Sequence, residues 1–594
     1  MRTSILLRIS SAFVAVLMLV SLVISTLFFT QPAKAGVVAG YAEYYIPGDA
    51  VQLFGILTNN DNNISGTNLH NVITIAVSSD NATIYYDHWE NGYGNTTTGN
   101  DEVYTANKGA VLTFTSDVRA TAQHSGMTAC TGSTFPAAGT SGVVTASGGL
   151  ATHCYDGRDR IYIVGGAVSV AQAFWPTSSG PVYANAWEIY PVKPYETHYT
   201  IPVGENLYHY GNNATNYPDF QNAYVLVEAT ADNTTVTIIN PGGSSQTTIL
   251  SRGAVIQMYG INSGTTVDAN NPVQVQFIVG RQNANFDSRS HTAVPSDLWD
   301  TKYYSPVPSY GTTNVNLYIY NPTAAALSVI YQDSSVTDTI SVPANSTRST
   351  RDLIGQYVAA GSAVSLAAAD GTTKFWAIGE YNTGSADRNW GFSLIPANTL
   401  TSEYFVSWAP GTSDANPSAN GSPVYVTPTQ DNTTIYVDYS PTDGVVNTTY
   451  TLNRLAVQKI LDPDNVNTGM HVWSSKPFAI VWGEDAQYAQ TGNPYIDAGY
   501  TILPLNSVGM DVVLSSQKTA SPTSIPATNS QAVTFTITTT ADDLGLDSVD
   551  VSDILPNGWT YKSGTTNITL PDNTVIHDAP TGTSTLHGRM WATA

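Results

Sequence analysis

The chain has 594 residues, of which 42% are hydrophobic and only 11% charged, against about 25% charged in an ordinary globular protein. That balance excludes a highly charged disordered chain. Asp and Glu number 45 against 22 Lys and Arg, for a net charge of −23, which argues against nucleic acid as a partner, because phosphate binding needs clustered basic groups.

The chain is rich in Tyr, Gly, Pro, Thr and Asn, which suits strands and turns better than helices. At about 150 residues per domain the length predicts about four domains.

At the amino terminus, Arg2 and Arg8 precede an apolar stretch from Ile9 to Phe29, and Ala33-Lys34-Ala35 places small residues before Gly36. The pattern predicts a secretory signal peptide over residues 1–35 and a secreted or cell-surface, extracellular location. The alternative is an uncleaved anchor, since about 20 apolar residues can span a bilayer. Membrane contact is expected only through this segment or through an anchor beyond Ala594, where further modules are expected to follow.

The densest polar and aromatic cluster is Tyr85-Tyr86-Asp87-His88-Trp89-Glu90-Asn91-Gly92-Tyr93-Gly94. Tyr86, Trp89 and Tyr93 could stack on a sugar ring while Asp87, His88 and Glu90 bond its hydroxyls. The pair Asp87 and Glu90 could serve a glycosidase. The plainer alternative is a corner of the fold with aromatic packing.

Cys130 and Cys154 are the only cysteines. In an exported protein such a pair predicts a disulfide, worth about 3.5 kcal/mol in the chain-entropy account. The segment between them reads as an insertion in the first module.

The main signal is repetition. Gln274 to Arg281 is followed by Val294-Pro295, Phe375 to Glu380 by Ile395-Pro396, and Phe478 to Glu484 by Leu503-Pro504. Ala173-Phe174-Trp175 before Tyr190-Pro191 is a degenerate first copy. The closing prolines recur about every hundred residues, a period that marks repeated structural units.

The openings match too: Tyr195 to Pro202, Tyr303 to Pro308 and Tyr404 to Pro410. A strand, a tight turn and another strand then follow, as in Tyr224–Val227 before Asp232-Asn233-Thr234-Thr235-Val236-Thr237-Ile238, and Val424–Val426 before Asp431–Val437. Asn tolerates left-handed backbone angles and Asp bonds the turn. The β-branched alternation after it suits a half-buried strand. This phrase reads as a hairpin turn.

About seven short strands per unit predict an all-β fold of tandem immunoglobulin-like β-sandwich modules. The boundaries are module 1 at 36–191, module 2 at 192–295, module 3 at 296–396 and module 4 at 397–508, with a distinct module at 509–594. Pairwise contact of successive modules predicts an extended rod. Adjacent units forming one closed array is the alternative.

Charged residues recur after each terminal glycine: Arg281, Glu380, Glu484 and Asp485, with Asp287, Arg289, Asp387 and Arg388 behind them. They read as a solvated rim of loops. Glu484, Asp485 and Asp497 are the candidates for calcium, the one cofactor the chain suggests.

After Pro504 the style changes. Lys518-Thr519-Ala520, Val533-Thr534-Phe535-Thr536-Ile537 and Val551-Ser552-Asp553-Ile554-Leu555-Pro556-Asn557-Gly558-Trp559 resemble the DUF11-type repeat of bacterial surface proteins. That resemblance implies an immunoglobulin-like stalk or adhesin module. More distantly, the units resemble the amino-terminal region of IgGFc-binding-type proteins. The residues that carry this are Asn271-Pro272-Val273 through Gly280, Lys476-Pro477-Phe478 through Gly483, Ile395-Pro396, Leu400, Tyr404 and Asp431 through Val437. This second resemblance implies an extracellular binding or adhesion role.

The expectation is a non-enzymatic protein of adhesion or of structural spacing, whose partner is an extracellular protein or a glycan. The alternatives are a carbohydrate-binding module array and a glycan-acting enzyme, both centred on residues 85–94.

Overall fold

The structure is a computed structural model. It describes residues 41–504 except 61–63, 65–67, 90–91, 120–143, 149–154, 156, 209–216, 312, 383–387, 410–421, 442–443, 463–469 and 486–495, and shorter stretches between 514 and 591. The signal segment, Glu90, Cys130, Cys154 and Asp387 lie outside the described residues. No helix among the described residues is long and apolar enough to cross a membrane.

Tyr41–Asp511 forms one compact unit and Val512–Ala594 belongs to another. In the latter, strand Leu514–Ser521 pairs antiparallel with Thr534–Ala541, and Ser548–Ile554 with Thr585–Trp591.

The first unit consists of four β-sandwiches of one topology. Each has eight strands rather than seven. Counted in chain order within a module, one sheet runs first, sixth, third, fourth, and the other fifth, second, seventh, eighth. In module 2 these sheets are His198–Ile201, Thr265–Ala269, Thr234–Ile239, Gln246–Leu250, and Val255–Tyr259, Asn222–Ala229, Val273–Gly280, Ser288–Thr292. Module 1 adds Val144–Gly148, paired in parallel with its fifth strand Val111–Arg119.

The repeated Asp-Asn turn is not a hairpin. The strands it joins, second and third, lie in opposite sheets and pair with other strands. The turn is an arch over the edge of the sandwich. Its chemistry is otherwise as expected from the residue types. Asn81, Asn233 and Asn432 have φ of 60°, 57° and 52°. Asp80, Asp232 and Asp431 accept from the backbone N–H of Lys108, Arg252 and Arg454, in the turn before the fifth strand. In module 3 Asn321 replaces this turn, donating to Ala325 O, Val342 O and Pro343 O.

A tyrosine in each first strand ties the two sheets together. Tyr44, Tyr199, Tyr303 and Tyr404 are buried, and their hydroxyls donate to Val168 O, Val273 O, Phe375 O and Phe478 O at 2.9, 3.0, 2.5 and 2.7 Å.

Tyr41–Asp511 is a closed cycle and not a rod. The eighth strands, Asn185–Glu188, Ser288–Thr292, Trp390–Ser393 and Gly499–Thr501, each pack on those of the neighbouring modules, and the fourth returns to the first.

The seams are apolar. Between modules 1 and 2 lies the helix Ala50–Asn60, with Ala50, Leu53, Ile56 and Leu57 against Tyr224, Leu226 and Ile278. It begins with a reciprocal cap: Gln52 N–H donates to Asp49 Oδ1, and Asp49 N–H to Gln52 Oε1. One cluster runs through modules 2 and 3 to Tyr425 and Val481 of module 4, and another joins module 4 to Val72, Ala171 and Ala173 of module 1.

Glycines admit the neighbour's side chains at these seams. A Cβ on Gly391 would sit 2.4 Å from the His291 ring of module 2, and one on Gly499 2.1 Å from the Trp390 ring of module 3. Gly499→Ala must displace a fully buried indole, and overpacking of that kind costs about 1–3 kcal/mol. Urea unfolding should show the unfolding free energy fall by that amount, with a lower midpoint, and an unchanged midpoint would contradict the seam geometry.

Candidate functional site

The strand Ala82–Asp87 alternates as its sequence suggests: Ile84 and Tyr86 face the core, while Tyr85 faces outward towards Tyr162. The chain then turns inward, so the polar residues after the strand enter the module instead of leaving it.

His88 is 1% exposed and lies between two buried carboxylates. Its Nε2 is 2.8 Å from Glu102 Oε1 and its Nδ1 3.3 Å from Asp159 Oδ1. Tyr86 donates to Asp159 Oδ2 at 2.7 Å, and Tyr155 and Tyr104 donate to Glu102 Oε2. Burial opposes the charged imidazole, but Asp159 and Glu102 outweigh it and raise the His88 pKa well above its ordinary value. Both ring nitrogens face carboxylate oxygens, an arrangement that favours the doubly protonated ring.

Asp87 is also buried. It accepts from Gly94 N–H at 2.7 Å and lies 3.7 Å from Arg160 Nη1. Burial lifts its pKa to about 6.

Trp89 is half-buried under the Arg158 guanidinium, 3.7 Å from its ring centre. Tyr93 bonds the Arg158 carbonyl and lies 3.2 Å from Glu228 Oε1 of module 2. Burial raises the Glu228 pKa well above the carboxylate range, against the lowering effect of Arg158. The described members of the cluster thus build the core of module 1 and its seam with module 2. Arg160 joins the same seam, reaching Glu43 at 2.5 Å, and Arg252 of module 2 reaches Glu43 at 3.2 Å.

The three calcium candidates do not share one set of partners. Asp485 meets Lys459 Nζ at 2.6 Å, Glu484 receives the Trp390 Nε1–H on its backbone oxygen at 3.1 Å, and Asp497 accepts from Asn389 N–H and, at 3.4 Å, from Asn389 Nδ2. All three are buried. Among the described residues no three His, Cys, Asp or Glu side chains are grouped as a metal ion would need.

Of the charged residues expected on a solvated rim, Asp287, Arg289, Glu380, Glu484 and Asp485 are instead buried, while Arg281 and Arg388 are partly exposed. Arg289 is 1% exposed. Its Nε lies 2.6 Å from Glu380 Oε2 of module 3, its Nη1 meets Asp287, and its Nη2 is 3.8 Å from Asp219. His291 Nε2 is 3.0 Å from Glu380 Oε1. Asn185 of module 1 accepts from Ser288 and Ser290 at 3.1 and 3.2 Å.

Burial raises the carboxyl groups here, with Arg289 opposing it. Asp219 rises to about 7, and Asp287 and Asp497 also rise. Arg289 keeps its charge because its carboxylate neighbours outweigh desolvation. One sequence signal points to this cluster. Asp287-Ser288-Arg289-Ser290-His291-Thr292 is all polar yet occupies the place held in other modules by Trp187, Trp390 and Tyr500.

His88→Gln removes the imidazole that bridges Glu102 and Asp159. Breaking a buried ion pair from one side costs about 3–5 kcal/mol, and denaturant unfolding should show it. The folded pKa of His88 is raised, so its contribution is complete below the unfolded value of 6.5 and fades as pH rises through the folded value. The gap between wild type and His88→Gln should therefore be widest in mild acid and narrow in alkali.

No family model and no curated protein matches this chain.

Proposed function

We propose that the chain is a secreted or cell-surface, non-enzymatic protein that acts in adhesion or as a structural binding scaffold. The four-module cycle is its rigid body, and loops at the module ends are its contact surface. The carboxyl-terminal segment serves as an immunoglobulin-like module of the DUF11 type. Its partner is an extracellular protein or a glycan.

The observation that supports this reading is the placement of the chemically richest cluster. Tyr86, Asp87 and His88 are buried and bonded within the protein, and Trp89 lies under Arg158. Side chains held this way serve cohesion between sheets and modules. Asp87 is engaged by Gly94 and Arg160, which favours a packing role for it over the acid or base role of a glycosidase.

Protease shaving of intact producing cells should release peptides of Tyr41–Asp511, and a deletion strain should lose attachment to its surface. Retention inside the cell would overturn the reading. So would glycan hydrolysis by the purified chain that Asp87→Asn or Glu90→Gln abolishes, which would favour the enzyme alternative.

A further inference from the structure

Glu188, Thr292, Ser393 and Thr501 occupy one structural position, each three places before the closing proline of its module. Three of them form a relay around the cycle. Thr501 donates to Ser393 O, Ser393 to Thr292 O at 2.7 Å, and Thr292 to Glu188 O at 2.7 Å. Each hydroxyl binds the backbone of the preceding module.

The relay reaches module 1 and finds a carboxyl group where a hydroxyl is expected. Glu188 is 0% exposed. It completes the circuit in the opposite sense, with Oε2 accepting from the Leu503 N–H of module 4 at 3.0 Å and Oε1 lying 2.7 Å from Ser169 Oγ. The groups that face it are Ser169, the Leu503 amide and the phenols of Tyr190, Tyr404 and Tyr500. Tyr404 and Tyr500 already donate to Phe478 O and Trp408 O. None of these neighbours is cationic.

We propose that Glu188 is a proton-dependent clasp, whose neutral carboxyl group closes the cycle between modules 1 and 4 and whose ionisation loosens that seam. The contacts suit the neutral acid. Ser169 Oγ donates to Oε1 of the ionised group; with a proton on Oε1 that bond reverses and Oε1 donates to Ser169 Oγ, while Oε2 still accepts from Leu503. An ionised group would keep two hydrogen bonds but leave a full charge buried with no counter-ion.

Burial accordingly raises the pKa from 4.5 to about 8, against the lowering effect of the Ser169 and Leu503 bonds. An acid raised in the folded state binds its proton more tightly there. Its contribution to stability is complete below the unfolded value of 4.5, and it is lost as pH rises through about 8.

The test compares thermal unfolding of wild type and Glu188→Gln from about pH 3.5, below the unfolded value, to about pH 9.5. The amide reproduces the neutral carboxyl group, donating to Ser169 and accepting from Leu503. The two proteins should unfold together at the acid end, and the variant should unfold several degrees higher at the alkaline end. The Leu503 amide should also exchange more slowly in the variant at alkaline pH. Asp87, Asp219, Glu228, Asp287 and Asp497 are present in both proteins, so their titrations cancel in the difference. A gap that does not vary with pH, or a variant less stable in alkali, would overturn the proposal. If the variant fails to fold, the carboxyl carbon of Glu188 in labelled wild type decides, assigned through its contact with Leu503. Titration near the alkaline end of the neutral range supports the clasp, and titration in the ordinary carboxylate range sinks it.

Discussion

Four short strands, each the last of its module, share one buried axis, where a polar group left without a partner is costly. This constraint governs much of the rest of Tyr41–Asp511. It explains why Thr292, Ser393 and Thr501 bond the preceding backbone. It explains the seam glycines, since Gly391 and Gly499 make room for His291 and Trp390. An unpaired polar group in such a place costs about 1–3 kcal/mol, which favours the cross-module bonds of Thr292, Ser393 and Thr501.

The same constraint sets the protonation of the interior. The chain is strongly acidic, yet several of its carboxyl groups are buried with too few cations to match. Arg289 serves Asp287, Glu380 and Asp219 at once, and His88 serves Glu102 and Asp159. Among the described residues no cation pairs with Glu188, which is held by hydrogen bonds from Ser169 and Leu503. Arg289 with Glu380, and Glu188 with Leu503, join modules across their seams alongside the apolar contacts and the hydroxyl relay. Such joints suit a protein proposed to present loops from a rigid scaffold outside the cell.

The sandwich modules were legible because their signals are local. Closing prolines, opening tyrosines and the Asp-Asn-Thr-Thr phrase depend on backbone angles and on alternation within a few residues. Asn233 and Asn432 adopt the left-handed conformation that their residue type allows. Whether the flanking strands pair with each other is not local, so an arch looked like a hairpin. The helix Ala50–Asn60 carries its own signature, the Asp49–Gln52 cap and apolar residues at helical spacing. An expectation of strands throughout masked it.

The amino-acid sequence by itself determined the all-β class, the hundred-residue repeat and the conformation of its turns, because those follow from the intrinsic preferences of residues close along the chain. Tertiary structure alone decided that the four modules close into a cycle, since closure depends on surfaces about a hundred residues apart meeting in one register. It also decided the character of the charged residues. Asp287, Arg289 and Glu380 look like a solvated rim in sequence and become a buried network once three modules surround them. The cluster from Tyr86 to Tyr93 changes in the same way. Its aromatic and acidic composition suggests a binding surface, but the inward turn after Asp87 and the arrival of Arg158 and Glu228 make it part of the joint between two modules. Burial, and not residue type, decides what a carboxylate or an indole does here.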